Sequence, residues 1–256
     1  MPPMCRLYAW SAPTELTLDE VLGHDRHNLI KLSELHRDGW GMAWRDDDGT
    51  VRLVRDELPA FESGAFRNSA TAVSTRAAIV HLRWATEAMQ VCIPNTHPFS
   101  KSGPTGTIAF AHNGGVPRGP ALDALIDDDL IAELEGETDS ERYFAALITQ
   151  ARKSNGDLIT AFAKTVRNLE PFSYSSINAL ALTSTHLYVL SQHRPENRPA
   201  GTDPDYYELR WANVDGVTTA WSSGVSDKDG IKLPSGSLLV TEVATGKNQV
   251  IDLSKV

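Results

Sequence analysis

The sequence Met4-Cys5-Arg6-Leu7-Tyr8-Ala9-Trp10 places a cysteine at the head of a short apolar run. The run predicts an early β-strand, in which a free cysteine ordinarily serves as a small packing residue. The position offers a second use. If the residues before Cys5 are removed, one residue carries both a thiol and a free α-amino group. Such an amine, with a pKa of about 7.7–8.0, can take the proton of a thiol whose pKa is about 8.5.

The composition is that of an ordinary globular protein. Of 256 residues, 41% are hydrophobic and 22% are charged, and we expect a single domain over residues 1–256. The net charge of -9 disfavours binding to a nucleic-acid backbone. Because the sequence has neither an apolar run near the roughly 20 residues of a membrane helix nor a secretion signal, we expect no membrane partner and a cytoplasmic location.

The cysteines and histidines do not predict a metal centre. Cys5 and Cys92 could form at most one disulfide, and Cys92 lies in an apolar run that is typical of packing, so both are expected to be reduced. His24, His27 and His36 lack an acid or a cysteine at a spacing that supports zinc binding. We therefore predict neither a metal nor a cofactor.

The order of the predicted elements indicates the fold class. Strands come first, with a hairpin made by Trp40–Trp44 and Val51–Val54 and a buried strand over 77–83. Helices follow, and strands return from residue 177 to the end, including one over 206–211. Strands, then helices, then strands predict an α+β sandwich with sheets inside and helices outside.

The helical part carries three predictions. An Asp-rich helix is expected over 121–134. The stretch 137–141 is expected to precede an amphipathic helix through Arg152, and Thr138 forms a capping box with Glu141. A further helix is expected over 158–169. The last two helices would together cover one face of a sheet.

A buried strand over 107–112 stops at Asn113-Gly114-Gly115. These residues tolerate positive φ, so the break is either a simple turn or a place where backbone N–H groups face a ligand. The local pattern by itself favours the turn, because Asn-Gly is among the commonest turn signals.

Four stretches, taken together, resemble the class II glutamine amidotransferase domain, an N-terminal-nucleophile (Ntn) hydrolase with a four-layer αββα core. They are Cys5-Arg6-Leu7, 81–86 with 95–98, His112-Asn113-Gly114, and 138–141. The sequence is most similar to stand-alone members of the YafJ type, which share a stretch like Arg-Asp-Gly-Trp-Gly at 37–41. The resemblance covers most of the chain and implies two mainly antiparallel sheets between layers of helices.

The resemblance also implies residue roles. Cys5 would attack the γ-amide of glutamine or of a γ-glutamyl compound, form a γ-glutamyl thioester, release ammonia or an amine, and then yield glutamate. The Asn113 side chain and the Gly114 N–H would stabilise the oxyanion. Arg83 would bind the substrate α-carboxylate and Asp139 its α-ammonium, while Trp84 and Thr86 would line the pocket.

Each implied role has a purely structural alternative. Outside the family context, Arg83 could be a surface ion-pair partner, and Asp139 could simply place a negative charge at a helix N-terminus. His97 and His112 are predicted to be buried supporting groups rather than bases. Glu87 departs from the histidine common in synthase-linked members, and residues 1–4 must be absent, by processing or by a start at Met4, for Cys5 to have a free amine.

Three functional alternatives remain open at this stage. Ammonia could pass to a separate synthase, because the chain has no residues left for a synthase domain of its own, or the enzyme could hydrolyse a γ-glutamyl conjugate, as the ergothioneine-pathway amidase does. A silent glutamine-binding or regulatory module would retain a blocked Cys5. A metal-dependent hydrolase would keep its activity without the Cys5 thiol.

Overall fold

The computed structural model describes residues 5–85 and 89–256. Its strands, in chain order, are β1 (Arg6–Leu16), β2 (Trp40–Arg45), β3 (Val51–Asp56), β4 (Thr75–Leu82), β5 (Phe99–Gly103), β6 (Gly106–Gly114), β7 (Ile177–Leu182), β8 (His186–Ser191), β9 (Leu209–Val214), β10 (Val217–Ser222), β11 (Ile231–Leu233), β12 (Ser237–Glu242) and β13 (Asn248–Asp252). Its α-helices are α1 (Leu18–Leu22), α2 (Arg26–Ser33), α3 (Gly64–Ala72), α4 (Pro120–Asp123), α5 (Asp128–Ala132), α6 (Asp139–Lys153) and α7 (Leu158–Leu169).

The strands form two antiparallel sheets. Within the described residues, the first sheet has the order β11-β9-β10-β1-β4-β2-β3, and the second has the order β13-β12-β8-β7-β6-β5. The predicted hairpin of β2 and β3 is confirmed, with Met42 opposite Val54. Each sheet contains strands that come before helices α4–α7 in the sequence and strands that come after them.

Three apolar cores separate four layers. Leu7 and Ala9 of β1 belong to the core between the sheets, and Tyr8 and Trp10 belong to the core between the first sheet and α1–α3. Helices α6 and α7 pack on the outer face of the second sheet through residues such as Phe144. The predicted αββα sandwich is therefore confirmed. No helix of the described chain has the length and apolar character needed to cross a membrane.

The segment predicted as one Asp-rich helix is wrong in detail. It forms two short helices, α4 and α5, because Asp127 takes an extended conformation at the N-cap of α5. The Asp127 N–H donates to Thr149 Oγ1 at 3.0 Å, and its carboxylate pairs with Arg152 and Lys153. Tertiary contacts with α6 thus interrupt the helical pattern.

The predicted capping box at the start of α6 is only half formed. Thr138 Oγ1 accepts the N–H of Glu141 at 3.1 Å, as expected. The Glu141 carboxylate instead accepts the N–H groups of Glu135 (3.0 Å) and Gly136 (2.8 Å). Glu141 therefore fixes the loop before α6 rather than the helix cap itself.

Two further expectations need correction. The strand predicted over 206–211 begins only at Leu209, since Tyr206 and Tyr207 lie in turns in which the Tyr206 N–H donates to Asp203 O at 3.1 Å. Cys92 is half-buried in an irregular segment rather than packed in a core, although it is free, as is Cys5. The helix predicted over 158–169 is confirmed as α7.

Candidate active site

The register of the first sheet places Cys5 beside Arg83. In the β1–β4 pair, Arg6 lies opposite Leu82 and Leu7 lies opposite His81, so the next pair outward is Cys5 with Arg83. Side chains two residues apart share a face of a strand. Cys5 therefore points to the same side as Leu7, which is the space between the two sheets.

The Cys5 thiol is held by backbone groups. The Trp84 N–H donates to Cys5 Sγ at 3.5 Å, and the thiol faces the Trp84 carbonyl oxygen at 3.7 Å. Burial raises the pKa of the thiol to about 11, while the Trp84 N–H and the charges of Arg83 and Arg6 act in the opposite direction. The thiol is consequently protonated near neutral pH and needs a base to become a nucleophile.

Arg83 is a buried cation with a fixed orientation. The residue is only 3% exposed, and its Nη1 and Nη2 donate to the carbonyl oxygens of Asp38 and Gln90, both at 3.1 Å. No carboxylate forms an ion pair with it among residues 5–85 and 89–256. The surface ion-pair alternative is therefore wrong, and the guanidinium lines the pocket at Cys5.

Asp139 reaches the same pocket from helix α6, which packs on the second sheet. It is the first residue of α6, and its Oδ2 accepts the Val116 N–H at 2.7 Å. Its location in the first helical turn agrees with the structural alternative, since acids are favoured there. Because Asp139 also lines the pocket with Cys5 and Arg83, the helix terminus brings a carboxylate to within the same small space as a thiol and a guanidinium.

The turn favoured locally at Asn113-Gly114 does not occur. Strand β6 continues through Gly114 and pairs with β7, with Asn113 opposite Asn178 and Gly114 opposite Ile177. At Gly114, where φ is 150°, a Cβ atom would lie 1.9 Å from the Ser176 carbonyl oxygen. Glycine is thus required by a close backbone approach rather than by a turn.

Asn113 is a buried amide whose polar atoms are unsatisfied. It is 1% exposed, and neither its Oδ1 nor its Nδ2 has a hydrogen-bond partner in the described structure. Ala109 and Ala111 of the same strand face the inter-sheet core, so Asn113 faces it too. Buried polar groups are normally paired, so the unpartnered amide is unusual, but Asn113 is not among the residues that line the cavity at Cys5.

Three buried histidines, His81, His97 and His112, cluster at the pocket, and one hydrogen bond between them and the main chain links the two sheets. His81 Nε2 donates to the His112 carbonyl oxygen at 3.2 Å, His112 Nε2 donates to Ser176 O at 3.1 Å, and Ser140 Oγ donates to His112 Nδ1 at 2.9 Å. Burial lowers the pKa of His81 to about 3 and that of His97 well below its usual value. His97 and His112 are buried, as expected, and both line the cavity at Cys5. Neither ring nitrogen of His97 has a hydrogen-bond partner in the described structure, so the expectation of a satisfied group is met by His112 but not by His97.

The structure brings most of the predicted residues together. A small cavity of about 50 Å³ is lined by Cys5, Arg83, Trp84, Gly114 and Asp139. Thr86 lies outside the described residues, as does Glu87. Sequence reasoning missed Asn95, which also lines the cavity and whose Oδ1 accepts the Glu137 N–H at 2.9 Å, although its stretch had been singled out. Among the residues described, no group of three or more His, Cys, Asp or Glu is arranged to hold a metal.

Comparisons with known proteins identify the family of the chain. The model of the class II glutamine amidotransferases matches residues 4–194. The chain is 25% identical to the gamma-glutamyl-hercynylcysteine sulfoxide hydrolase of Mycolicibacterium smegmatis over 82% of this chain and 92% of that protein. It is 29% identical to YafJ of Escherichia coli over 44% of this chain and 42% of that protein.

A solved structure supports the fold. A glutamine aminotransferase class-II domain protein from Silicibacter pomeroyi superposes with a TM-score of 0.65 at 19% identity and covers 97% of this chain and 99% of its own. At that identity the likeness concerns the fold, which is the two-sheet α+β sandwich of Ntn-type amidotransferases. From the family match over residues 4–194, we conclude that the chain belongs to the class II glutamine amidotransferases.

Proposed function

We propose that this protein is an amidohydrolase in which Cys5, as an N-terminal residue, attacks the γ-amide of glutamine or of a γ-glutamyl compound. The observation that carries the proposal is that Cys5 shares one pocket with the buried guanidinium of Arg83 and the carboxylate of Asp139. A cation and an anion fixed in one small pocket complement the two charged ends of an α-amino acid.

Arg83 and Asp139 recognise the amino-acid end of the substrate. Two N–H groups of the Arg83 guanidinium donate to backbone carbonyl oxygens. Its remaining N–H donors bind the substrate α-carboxylate in this proposal. Asp139 accepts one backbone N–H through Oδ2, which leaves Oδ1 for the α-ammonium. Trp84 and Thr86 complete the walls of the glutamyl pocket in this proposal.

The α-amino group of Cys5 acts as the base. A thiol whose pKa is raised to about 11 forms very little thiolate near neutral pH. A free α-amine on the same residue, with an ordinary pKa of about 7.7–8.0, can accept the thiol proton as sulfur attacks and return it to the leaving nitrogen. The active form therefore begins at Cys5, without residues 1–4.

Asn113 and Gly114 stabilise the oxyanion. The unsatisfied Asn113 amide faces the inter-sheet space, and the strand that bears it is tied to the opposite sheet through the His81–His112 hydrogen bond. A donor fixed in this way need not reorganise as negative charge develops, and loss of one such donor typically costs about 2.7–4 kcal/mol of barrier. The Gly114 N–H is the second donor in the proposal.

The decisive experiment compares three proteins. Glutaminase and γ-glutamyl-amide hydrolysis are measured on protein that begins at Cys5, on its Cys5→Ala variant, and on protein that retains residues 1–4 as shown by intact mass. We expect activity only in the first. Activity that survives Cys5→Ala, or that disappears with a chelator, would contradict the proposal.

A second candidate is a silent glutamine-binding or regulatory module. It is favoured by the surroundings of the thiol, whose hydrogen-bond partners among the described residues are backbone atoms of Trp84 and whose pKa is raised. A chain blocked before Cys5 lacks the α-amine that serves as base in the first proposal. Isothermal calorimetry on the blocked protein distinguishes the cases. Binding of glutamine without hydrolysis, in a protein whose native mass includes residues 1–4, would support the silent module.

Location and partners follow from the same chemistry. A thiol nucleophile must stay reduced, which suits the cytoplasm that we propose for this protein. If glutamine itself is the substrate, released ammonia would be used by a separate synthase. If the substrate is a γ-glutamyl conjugate, the amine is the product and no acceptor is needed.

A further inference from the structure

A second cavity, called here the outer cavity, adjoins the pocket at Cys5. Its volume is about 260 Å³, against about 50 Å³ for the pocket that contains Cys5. Trp84 lines both, and the outer cavity is further walled by Arg6, Leu32, Leu35, Asp205 and Tyr206. Trp84 is therefore the wall that the two cavities share.

The size of the outer cavity is unexplained by glutamine. When glutamine is hydrolysed, the leaving group is ammonia, which has a single heavy atom. A cavity of about 260 Å³ beside the reacting centre has room for a leaving group with many more atoms. The walls combine an apolar side with one cation, Arg6, and two carboxylates, Asp203 and Asp205.

Arg6 is the cation, and it lacks a full set of partners. Its Nη1 donates to the Cys5 carbonyl oxygen at 3.1 Å, while its buried Nε has no hydrogen-bond partner in the described structure. The guanidinium carbon lies 5.8 Å from the centre of the Tyr206 ring. Among the residues described, no carboxylate forms an ion pair with Arg6. The charge of Asp205, in the same cavity wall, acts on Arg6, and the unpartnered Nε leaves the guanidinium with donors for an anion from a ligand.

The apolar side of the outer cavity comes from α2 and the segment after it. Leu32 and Leu35 contribute aliphatic surface, and Leu35 is 49% exposed. The His36 ring meets the Trp84 ring edge to face at 5.3 Å and so fixes the wall shared with the Cys5 pocket. Tyr206 closes the cavity opposite these residues. A hydrophobic group placed here would lose contact with water on several sides.

We propose that the outer cavity binds the leaving group of a γ-glutamyl α-amino acid with an apolar side chain; this inference rests on the function proposed above. The leaving α-carboxylate binds Arg6, and the apolar side chain lies among Leu32, Leu35 and Tyr206.

The reaction balances with water as the only co-substrate. Cys5 Sγ bonds to the γ-carbonyl carbon, its proton passes through the Cys5 α-amine to the leaving nitrogen, and the carbon–nitrogen bond breaks to release a free amino acid. Water then attacks the thioester, the sulfur–carbon bond breaks, and glutamate leaves as the thiol recovers its proton. The class of reaction that supplies the substrate must therefore form γ-glutamyl amides of amino acids.

The test uses protein beginning at Cys5 and three probes. They are γ-glutamyl-L-phenylalanine, γ-glutamyl-2-phenylethylamide, which has the same ring but no leaving carboxylate, and L-glutamine. We expect kcat/KM for the phenylalanine conjugate to exceed that of the other two by about 10- to 100-fold, since a charged hydrogen-bonded pair is worth that factor. This comparison needs no substitution.

Two pairs of variants locate the effect. Arg6→Gln should remove the advantage of the phenylalanine conjugate over the phenylethylamide, and Arg210→Gln, on an exposed arginine outside the cavity, should preserve it. Leu35→Asp should weaken hydrolysis of both aromatic probes, and Leu58→Asp should not, although the two leucines are 49% and 50% exposed. Circular dichroism melts confirm that each variant is folded.

The outcomes separate the two proposals. If glutamine is hydrolysed but the phenylalanine conjugate is no better than the phenylethylamide, or if Arg6→Gln slows all three probes equally, the inference about the leaving group is wrong and the proposed function stands. If protein beginning at Cys5 hydrolyses none of the three probes, both are wrong.

Discussion

The pocket at Cys5 and the outer cavity are made from different parts of the fold. The pocket is built from strand ends and the first turn of α6, and its side chains are held by backbone groups, as Arg83 is by two carbonyl oxygens. The outer cavity is walled largely by the end of α2 and by loops around residues 201–206 and 223–224. Trp84 lines both.

If Cys5 and the outer cavity act as proposed, the pocket carries the chemistry and the outer cavity carries the selectivity. A glutamyl group is the same in every substrate, so the groups that bind it gain from a rigid frame. A leaving group differs between substrates, and loops change more readily than the strands that support them. This difference requires that the groups around Cys5 be held rigidly and that they bind the glutamyl group specifically, and substitutions can test both requirements.

Asn113→Ala should produce the largest effect. If the amide is an oxyanion donor, kcat for glutamine should fall by about 10²- to 10³-fold with little change in KM. Steady-state kinetics on protein beginning at Cys5 measure both constants. Asn197→Ala is a matched control from the loop region, where Asn197 donates to the Tyr174 carbonyl oxygen. A purely structural Asn113 would lower stability and leave kcat within a few-fold.

Arg83→Lys should mainly weaken binding. Lysine keeps the charge but loses the planar fork, so kcat/KM for glutamine should fall by about 10- to 100-fold, chiefly through KM. Arg194→Lys is a close control, because Arg194 also donates Nη1 and Nη2 to two backbone carbonyls, those of Phe172 and Glu170. Equal effects of the two substitutions would mean that Arg83 acts only as a structural residue.

Glu141→Gln tests the rigid frame without touching the pocket wall. The buried carboxylate accepts two backbone N–H groups in the loop before α6, and an amide can accept with only one of its terminal atoms. We expect a loss of about 1.5–3 kcal/mol in the free energy of unfolding, measured by urea denaturation. Glu137→Gln, on an exposed residue of the same loop, should change stability by less than about 0.5 kcal/mol.

The His81–His112 connection should give the smallest effect, visible only through pH. Burial lowers the pKa of His81 to about 3, so the folded state holds a neutral ring while the unfolded chain gains a proton. This contribution is complete above about pH 6.5 and is lost as the pH falls toward 3. His81→Asn should reduce the loss of stability between pH 7 and pH 5 in urea melts, whereas His27→Asn, at an exposed position, should not.

Much of the fold followed from periodicity, and the limits of prediction are instructive. Helix α7 and the β2–β3 hairpin were predicted because their patterns are local. The Asp-rich helix failed because Thr149 and the basic end of α6 interrupt it from a distance. Such tertiary contacts leave no periodic signal in the segment itself.

The candidate site shows the same division. The resemblance to a known family brought Cys5, Arg83 and Asp139 together before any geometry was known, although their roles remain proposals. Local reasoning gave the wrong answer at Asn113-Gly114, since the need for glycine comes from the Ser176 carbonyl oxygen, which is remote in sequence. The outer cavity could not be predicted, because its walls come from segments near residues 6, 32, 84 and 206 that are joined only in the folded chain.

The hydrogen-bond contacts of the Cys5 thiol are with the main-chain N–H and carbonyl oxygen of Trp84 rather than with its indole ring. Main-chain N–H and carbonyl groups are present whatever residue occupies position 84, so the sulfur would keep both contacts if the tryptophan side chain were replaced. If Cys5 acts as proposed, substitutions at Trp84 and in the segments around it could change which amides are bound, while the main-chain contacts of the thiol remain the same.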